Sequence, residues 1–137
     1  MSETTTVDPV TRKARPLSPH LMIYKPIPTM VMSILHRITG AALYFGTALV
    51  AWWLIAAASG PDAFETVRAF FGSWFGRLVL FGYTLVLVHH ALGGIKHLVQ
   101  DTGRALDRDL TTRMALAQPV VSLVVTLAIW VVGYMVR

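Results

Sequence analysis

The chain is 137 residues long, the size of a single domain. Hydrophobic residues make up 55% of it and charged residues 14%, against roughly 25% charged in an ordinary soluble domain; mean hydropathy is +0.59, and a water-soluble globule is excluded. The net charge of +5 is confined to three short segments, as membrane-flank charge is, so nucleic acid is not an expected partner. The absence of cysteine rules out disulfides, thiolate zinc sites and iron–sulfur ligation by this chain, leaving histidine or a partner for any redox chemistry.

The first 28 residues open with threonine and charge and then carry Pro16, Pro19, Pro26 and Pro28, too many for a regular helix; they predict an arm outside the bilayer. No apolar run follows Met1, so no cleaved signal is expected and the first span stays as an anchor. Three uncharged stretches follow, Ile38 to Pro61, Leu78 to Ile95 and Met114 to Val136, of 24, 18 and 23 residues. About 20 apolar residues at 1.5 Å each cross a hydrocarbon core near 30 Å thick. With their flanks, the stretches predict an all-α membrane domain of three transmembrane helices, at residues 30–58, 70–99 and 114–136. The second is lengthened backward through Phe70, Phe71, Trp74 and Phe75, with Arg77 snorkelling. Trp52, Trp53, Trp74 and Tyr134 near span ends fit interfacial belts. Nine Lys and Arg lie in the arm through Arg37 and in the Lys96–Arg113 connection, against three elsewhere, which predicts an N-terminus inside and a C-terminus outside. The connections are too short for a catalytic domain, so chemistry must sit in or at the edge of the membrane.

An ionisable or strongly polar side chain inside a span is costly unless it faces a partner, a cavity or a cofactor. Ser33, His36 and Arg37 are related by i, i+3 and i+4, which on a helix gathers a hydroxyl, an imidazole and a guanidinium within one turn. Such a face suits a polar headgroup: a carbonyl oxygen gaining negative charge, or a carboxylate such as a haem propionate. Gly40 leaves room beside it for a neighbouring helix or a ring. A second cluster holds Tyr83, His89, His90, Gly93, Gly94 and His97. His90, Gly93, Gly94 and His97 share one helix face, a strip on which a flat cofactor could lie with an imidazole as axial ligand of haem iron. Periodicity favours His90 over His89 by its glycines, without settling which faces the ring. The second iron ligand is expected from another subunit, because His97 is about 10 Å from His90 along the axis. Asp101, at the level of Arg37, could pair with it or serve a proton path, or could simply end its helix. Gln118, Ser122 and Thr126 on the third span read as helix packing, with no site assigned.

Three motifs in order, RPLSPHLMIYKP (Arg15 to Pro26), SILHRITG (Ser33 to Gly40) and HALGGIKHLVQD (His90 to Asp101), resemble the large membrane-anchor, cytochrome b subunit of succinate dehydrogenase, respiratory complex II. The resemblance implies half of a heterodimeric anchor bundle holding haem b between its subunits. Its partners would be a small membrane-anchor subunit, an iron–sulfur subunit and a flavoprotein, the last two carrying the iron–sulfur clusters and FAD. Succinate oxidation would belong to those partners, electrons passing to ubiquinone in the bacterial cytoplasmic or mitochondrial inner membrane. On this resemblance Ser33 and Arg37 fall on the quinone-site residues, His36 and Arg37 approach a haem propionate, and His90 is the iron ligand. Asp101 matches the acidic residue closing the motif. Lys96 stands where the family commonly has arginine, keeping the charge and losing bidentate donors. Two competing readings are a quinol-oxidising fumarate reductase anchor, using the same parts in reverse, and a cofactor-free scaffold or proton-relay subunit. The lack of a carboxylate within any span argues against the relay.

Overall fold

The computed structural model describes residues 17–136 as four helices: α1 (Pro28–Ser59), α2 (Pro61–Gly72), α3 (Trp74–Asp101) and α4 (Arg108–Met135). The early part of the arm, with Arg12, Lys13 and Arg15, and the terminal Arg137 lie outside the described residues. Residues 17–27 carry two overlapping turns, with Met22 N–H donating to the Pro19 carbonyl and Tyr24 N–H to the Leu21 carbonyl, and Pro28 opens α1 at the position where its missing N–H costs nothing.

α1, α3 and α4 are each long and apolar enough to cross a membrane. At 1.5 Å per residue, the 32 residues of α1 extend about 48 Å, and the 28 of α3 and of α4 about 42 Å, so all three overrun a 30 Å hydrocarbon core at their ends. α3 is central, touching each of the other three helices. The chain therefore runs up, down and up, with the start of α1, the end of α3 and the start of α4 at one end of the bundle.

Two boundaries differ from the sequence expectation. The second span does not begin at residue 70: Phe70 and Phe71 belong to α2, a separate 12-residue helix packed on α1 and α3. The break has local causes. Gly60 adopts φ 119, a conformation closed to other residues, and Pro61 restarts the helix. Ser73 then ends α2 and caps α3, its Oγ accepting from Gly76 N–H at 3.0 Å. α4 likewise starts six residues before Met114, because the Asp107 carboxylate caps it through Asp109 and Leu110 N–H at 3.0 and 2.9 Å. Pro119 interrupts the hydrogen-bond ladder without ending α4.

Little apolar surface is buried within the chain, and the buried positions are mostly small or polar: on α4, Ala115, Gln118, Ser122 and Thr126 form a stripe against α3. Such close, small-residue seams are how helices associate where lipid removes the hydrophobic drive. The α1–α3 seam is as tight at Gly46, against which the Tyr83 ring lies so closely that a Cβ would fall inside contact distance. Gly46→Ala is expected to cost about 1–3 kcal/mol by overpacking. A lowered melting temperature of the detergent-solubilised protein would register that cost, and Gly82→Ala, which meets nothing within 4 Å, is the control expected to melt unchanged.

Candidate functional site

The polar residues of α1 and α3 meet near the start of α1. His36 of α1 stacks on His90 of α3, ring centroids 4.0 Å apart and planes within 5°. It also meets His97 edge-on at 5.2 Å and 61°. A flat ring does lie on the glycine strip, but it is the imidazole of His36. A Cβ on Gly93 would stand 2.6 Å from His36 Nδ1 and 3.1 Å from Gln118 Nε2, whereas Gly94 faces nothing within 4 Å. Reciprocally, the ring that Gly40 admits is that of His90, whose Cε1 would be 3.0 Å from a Cβ there. The two clusters read separately from the sequence are thus one.

His90 is held by its Nδ1, 3.1 Å from the His36 carbonyl and 3.2 Å from Thr39 Oγ1. A carbonyl can only accept, so Nδ1 carries the proton and Nε2 is left with its lone pair and no hydrogen bond among the described residues. Thr39 Oγ1 in turn donates to the same carbonyl at 2.9 Å. Sequence reasoning did not single out Thr39, although its i+3 spacing from His36 on one helix turn was a usable signal.

His89 is engaged elsewhere. It is buried, its Nδ1 lies 3.1 Å from Ser122 Oγ and its Nε2 3.4 Å from Gln118 Nε2, and the Gln118 amide also donates to the His89 carbonyl at 3.2 Å. Both nitrogens are spent on α4, which separates His89 from its neighbour and gives Gln118 and Ser122 their role.

Ser33 and His36 are half-buried and Arg37 is exposed, on the first turns of α1. Neither the Ser33 hydroxyl nor the Arg37 guanidinium has a side-chain hydrogen bond among the described residues. His36 Nδ1 is buried against Gly93 with no partner. Asp101 is exposed at the last position of α3. The expected Arg37–Asp101 pair is not made: the ion pair among the described residues joins Arg68 to Glu65 on α2. Tyr83 is not brought into the cluster either, being packed on Gly46 about two turns from His90. No group of three or more His, Cys, Asp or Glu among the described residues could hold a bare metal ion.

The family described as succinate dehydrogenase/fumarate reductase transmembrane subunit matches residues 11–129. The succinate dehydrogenase cytochrome b556 subunit of Paracoccus denitrificans is 39% identical over 126 residues, covering 90% of this chain and 97% of that protein. The corresponding subunit of Rickettsia typhi is 32% identical over 117 residues, 85% and 91% of the two chains. The mitochondrial cytochrome b560 subunit of Mus musculus is 39% identical over 101 residues, 70% of this chain and 58% of that one. The first two spans, the third as far as Ile129 and both halves of the histidine cluster fall within the region the family matches, and the chain belongs to the succinate dehydrogenase/fumarate reductase transmembrane subunit family.

Proposed function

We propose that this chain is the cytochrome b membrane-anchor subunit of a succinate dehydrogenase, ligating haem b through His90 and forming part of the ubiquinone-reduction site with Ser33 and Arg37. The observation that carries the reading is the His90 ring. Its Nδ1–H is tied to a backbone carbonyl 3.1 Å away, the outer-shell arrangement that fixes tautomer and orientation and leaves Nε2 for iron. Gly94, one turn along α3, faces open space, which would leave room for a haem held by His90 between this chain and the small anchor subunit, the expected source of the second iron ligand. Haem bound there supplies a one-electron redox centre inside the bilayer.

The remaining roles follow from the charges. His36 Nδ1 faces Gly93 unpaired, where a bare lone pair costs less than a buried N–H donor; the proton then sits on Nε2, which would be able to donate to a propionate of a bound haem. Arg37 keeps five unpaired donors near the membrane edge. A ubiquinone ring oxygen gains negative charge as electrons arrive from the iron–sulfur partner, and the guanidinium stabilises that charge while Ser33 holds a ring oxygen by one hydrogen bond. Asp101, exposed at the same end of the bundle, offers a proton path to the ring. The N-terminal arm is on the inner side and the C-terminus outside, as the Lys and Arg distribution favours, which would put the arm under the iron–sulfur subunit.

The test is a succinate-reduced minus oxidised optical spectrum of the complex purified through a tag on this chain. The expected result is a b-type haem signal that appears with succinate, with flavin and iron–sulfur subunits in the same preparation. Partners without haem would remove His90 as a ligand; neither partners nor haem would leave the scaffold or proton-relay reading.

A further inference from the structure

Thr39 stands half-buried on α1, three residues past His36 and next to Gly40. A Cβ at Gly40 would stand 3.0 Å from His90 Cε1, so it is the missing side chain there that lets the ring come up against this turn of α1 and reach Thr39. The Thr39 hydroxyl is engaged on both sides. Its Oγ1 donates to the His36 carbonyl at 2.9 Å, the back-bond a threonine commonly makes within its own helix, and lies 3.2 Å from His90 Nδ1. A hydroxyl has one proton, and this one is committed to the carbonyl, so the oxygen turns a lone pair to the ring and accepts from Nδ1–H.

The Nδ1–H is therefore shared between two acceptors, the carbonyl at 3.1 Å and the hydroxyl at 3.2 Å. One acceptor would fix the position of Nδ1 and leave the ring free to pivot about that bond. Two acceptors on the ring edge, with the His36 ring stacked 4.0 Å away on its face, hold the plane as well. Both oxygens present negative partial charge to the same proton, and the Thr39 O–H dipole has its negative end towards the ring. Drawing on Nδ1–H in this way raises the basicity of Nε2, and a more basic axial imidazole favours the oxidised state of the iron it binds.

We propose that Thr39 is a positioning residue for the His90 imidazole: by accepting from Nδ1–H it orients the ring and holds the potential of a haem iron bound at Nε2 below the value the carbonyl alone would set. This rests on the reading of His90 as the haem ligand and adds to it a tuning group on the facing helix.

The test is a redox titration of the haem absorbance in the whole complex, comparing wild type with Thr39→Val and Thr39→Ser. Valine keeps the shape of threonine and removes the hydroxyl; serine keeps the hydroxyl. Thr39→Val is expected to shift the haem equilibrium towards the reduced state by about fivefold, the scale of one net hydrogen bond, which for one electron is a potential about 40 mV more positive. Thr39→Ser should titrate as wild type. Haem lost from Thr39→Val and retained by Thr39→Ser would equally assign the hearing of the ring to the hydroxyl. An unchanged or lowered potential in Thr39→Val, or a Thr39→Ser complex that behaves as the valine variant, overturns the proposal. His90→Leu separates the two readings. Haem retained there removes the ligand assignment itself, whereas haem lost there, with an unchanged potential in Thr39→Val, removes the role of Thr39 and leaves His90 as the ligand.

Discussion

His90→Leu, placed in the full complex, is expected to reduce b-haem absorbance to below about a tenth of wild type, since loss of even an outer-shell partner of a metal ligand costs about 10–100-fold in affinity. Leucine keeps the volume roughly constant and removes both nitrogens, so the contact with Gly40 persists while the iron ligand and the bond to the His36 carbonyl, now 3.1 Å from Nδ1, vanish together. His89→Leu is the matched control. It leaves Ser122 Oγ and the Gln118 amide without the ring nitrogens they meet at 3.1 and 3.4 Å, a loss of about 1 kcal/mol in helix packing. The haem spectrum should survive while the melting temperature falls. Haem lost in His89→Leu and kept in His90→Leu would move the ligand to the other face of α3. Gly94→Ala adds a third reading of the same geometry. Its methyl meets no atom of this chain within 4 Å, so a haem loss there would locate the macrocycle on that face.

The number of crossings was legible because twenty-odd apolar residues have only one common use, and the polar residues that cluster between α1 and α3 stood out because hydrocarbon makes each one expensive. The helix α2 was not. Phe70 and Phe71 continue the hydropathy of the next span, and only the Gly60–Pro61 pair and Ser73, an N-cap residue ahead of Trp74, signal that the chain stops and turns. Hydropathy measures which solvent a residue prefers, and both helices prefer the same one. The pairing of His36 with His90 was out of reach for a different reason. Each helix face could be drawn from periodicity, but the rotation and depth of α1 against α3 are set by contacts such as Tyr83 on Gly46 and His90 on Gly40, which no single helix encodes. The suggested pairing of Arg37 with Asp101 rested on a shared level alone; both are exposed and neither makes an ion pair among the described residues. What distinguishes His89 from His90 lies on α4, whose Gln118 and Ser122 hydrogen-bond the His89 ring and not its neighbour's.

Arg37→Leu is expected to lower succinate:ubiquinone reductase activity by roughly a hundredfold, the scale of removing a preorganised donor from a site where negative charge develops, while succinate oxidation by a soluble dye that accepts electrons before the membrane stays near wild type. The divergence of the two assays is the content of the prediction. Arg37 is exposed and makes no side-chain hydrogen bond or ion pair among the described residues, so its loss should leave the His36–His90 stack and the haem content in place, with a spectral change limited to the small shift that losing a propionate contact brings. Arg37→Lys keeps the charge and loses the planar fork, and should fall between wild type and leucine. Ser33→Ala removes one neutral hydrogen bond, worth about 0.5–1.5 kcal/mol, and should cost roughly tenfold or less, chiefly as a raised KM for quinone. An equal fall of both assays in Arg37→Leu would assign the residue to assembly of the complex, and an unchanged quinone rate would take the reduction site away from the start of α1 altogether.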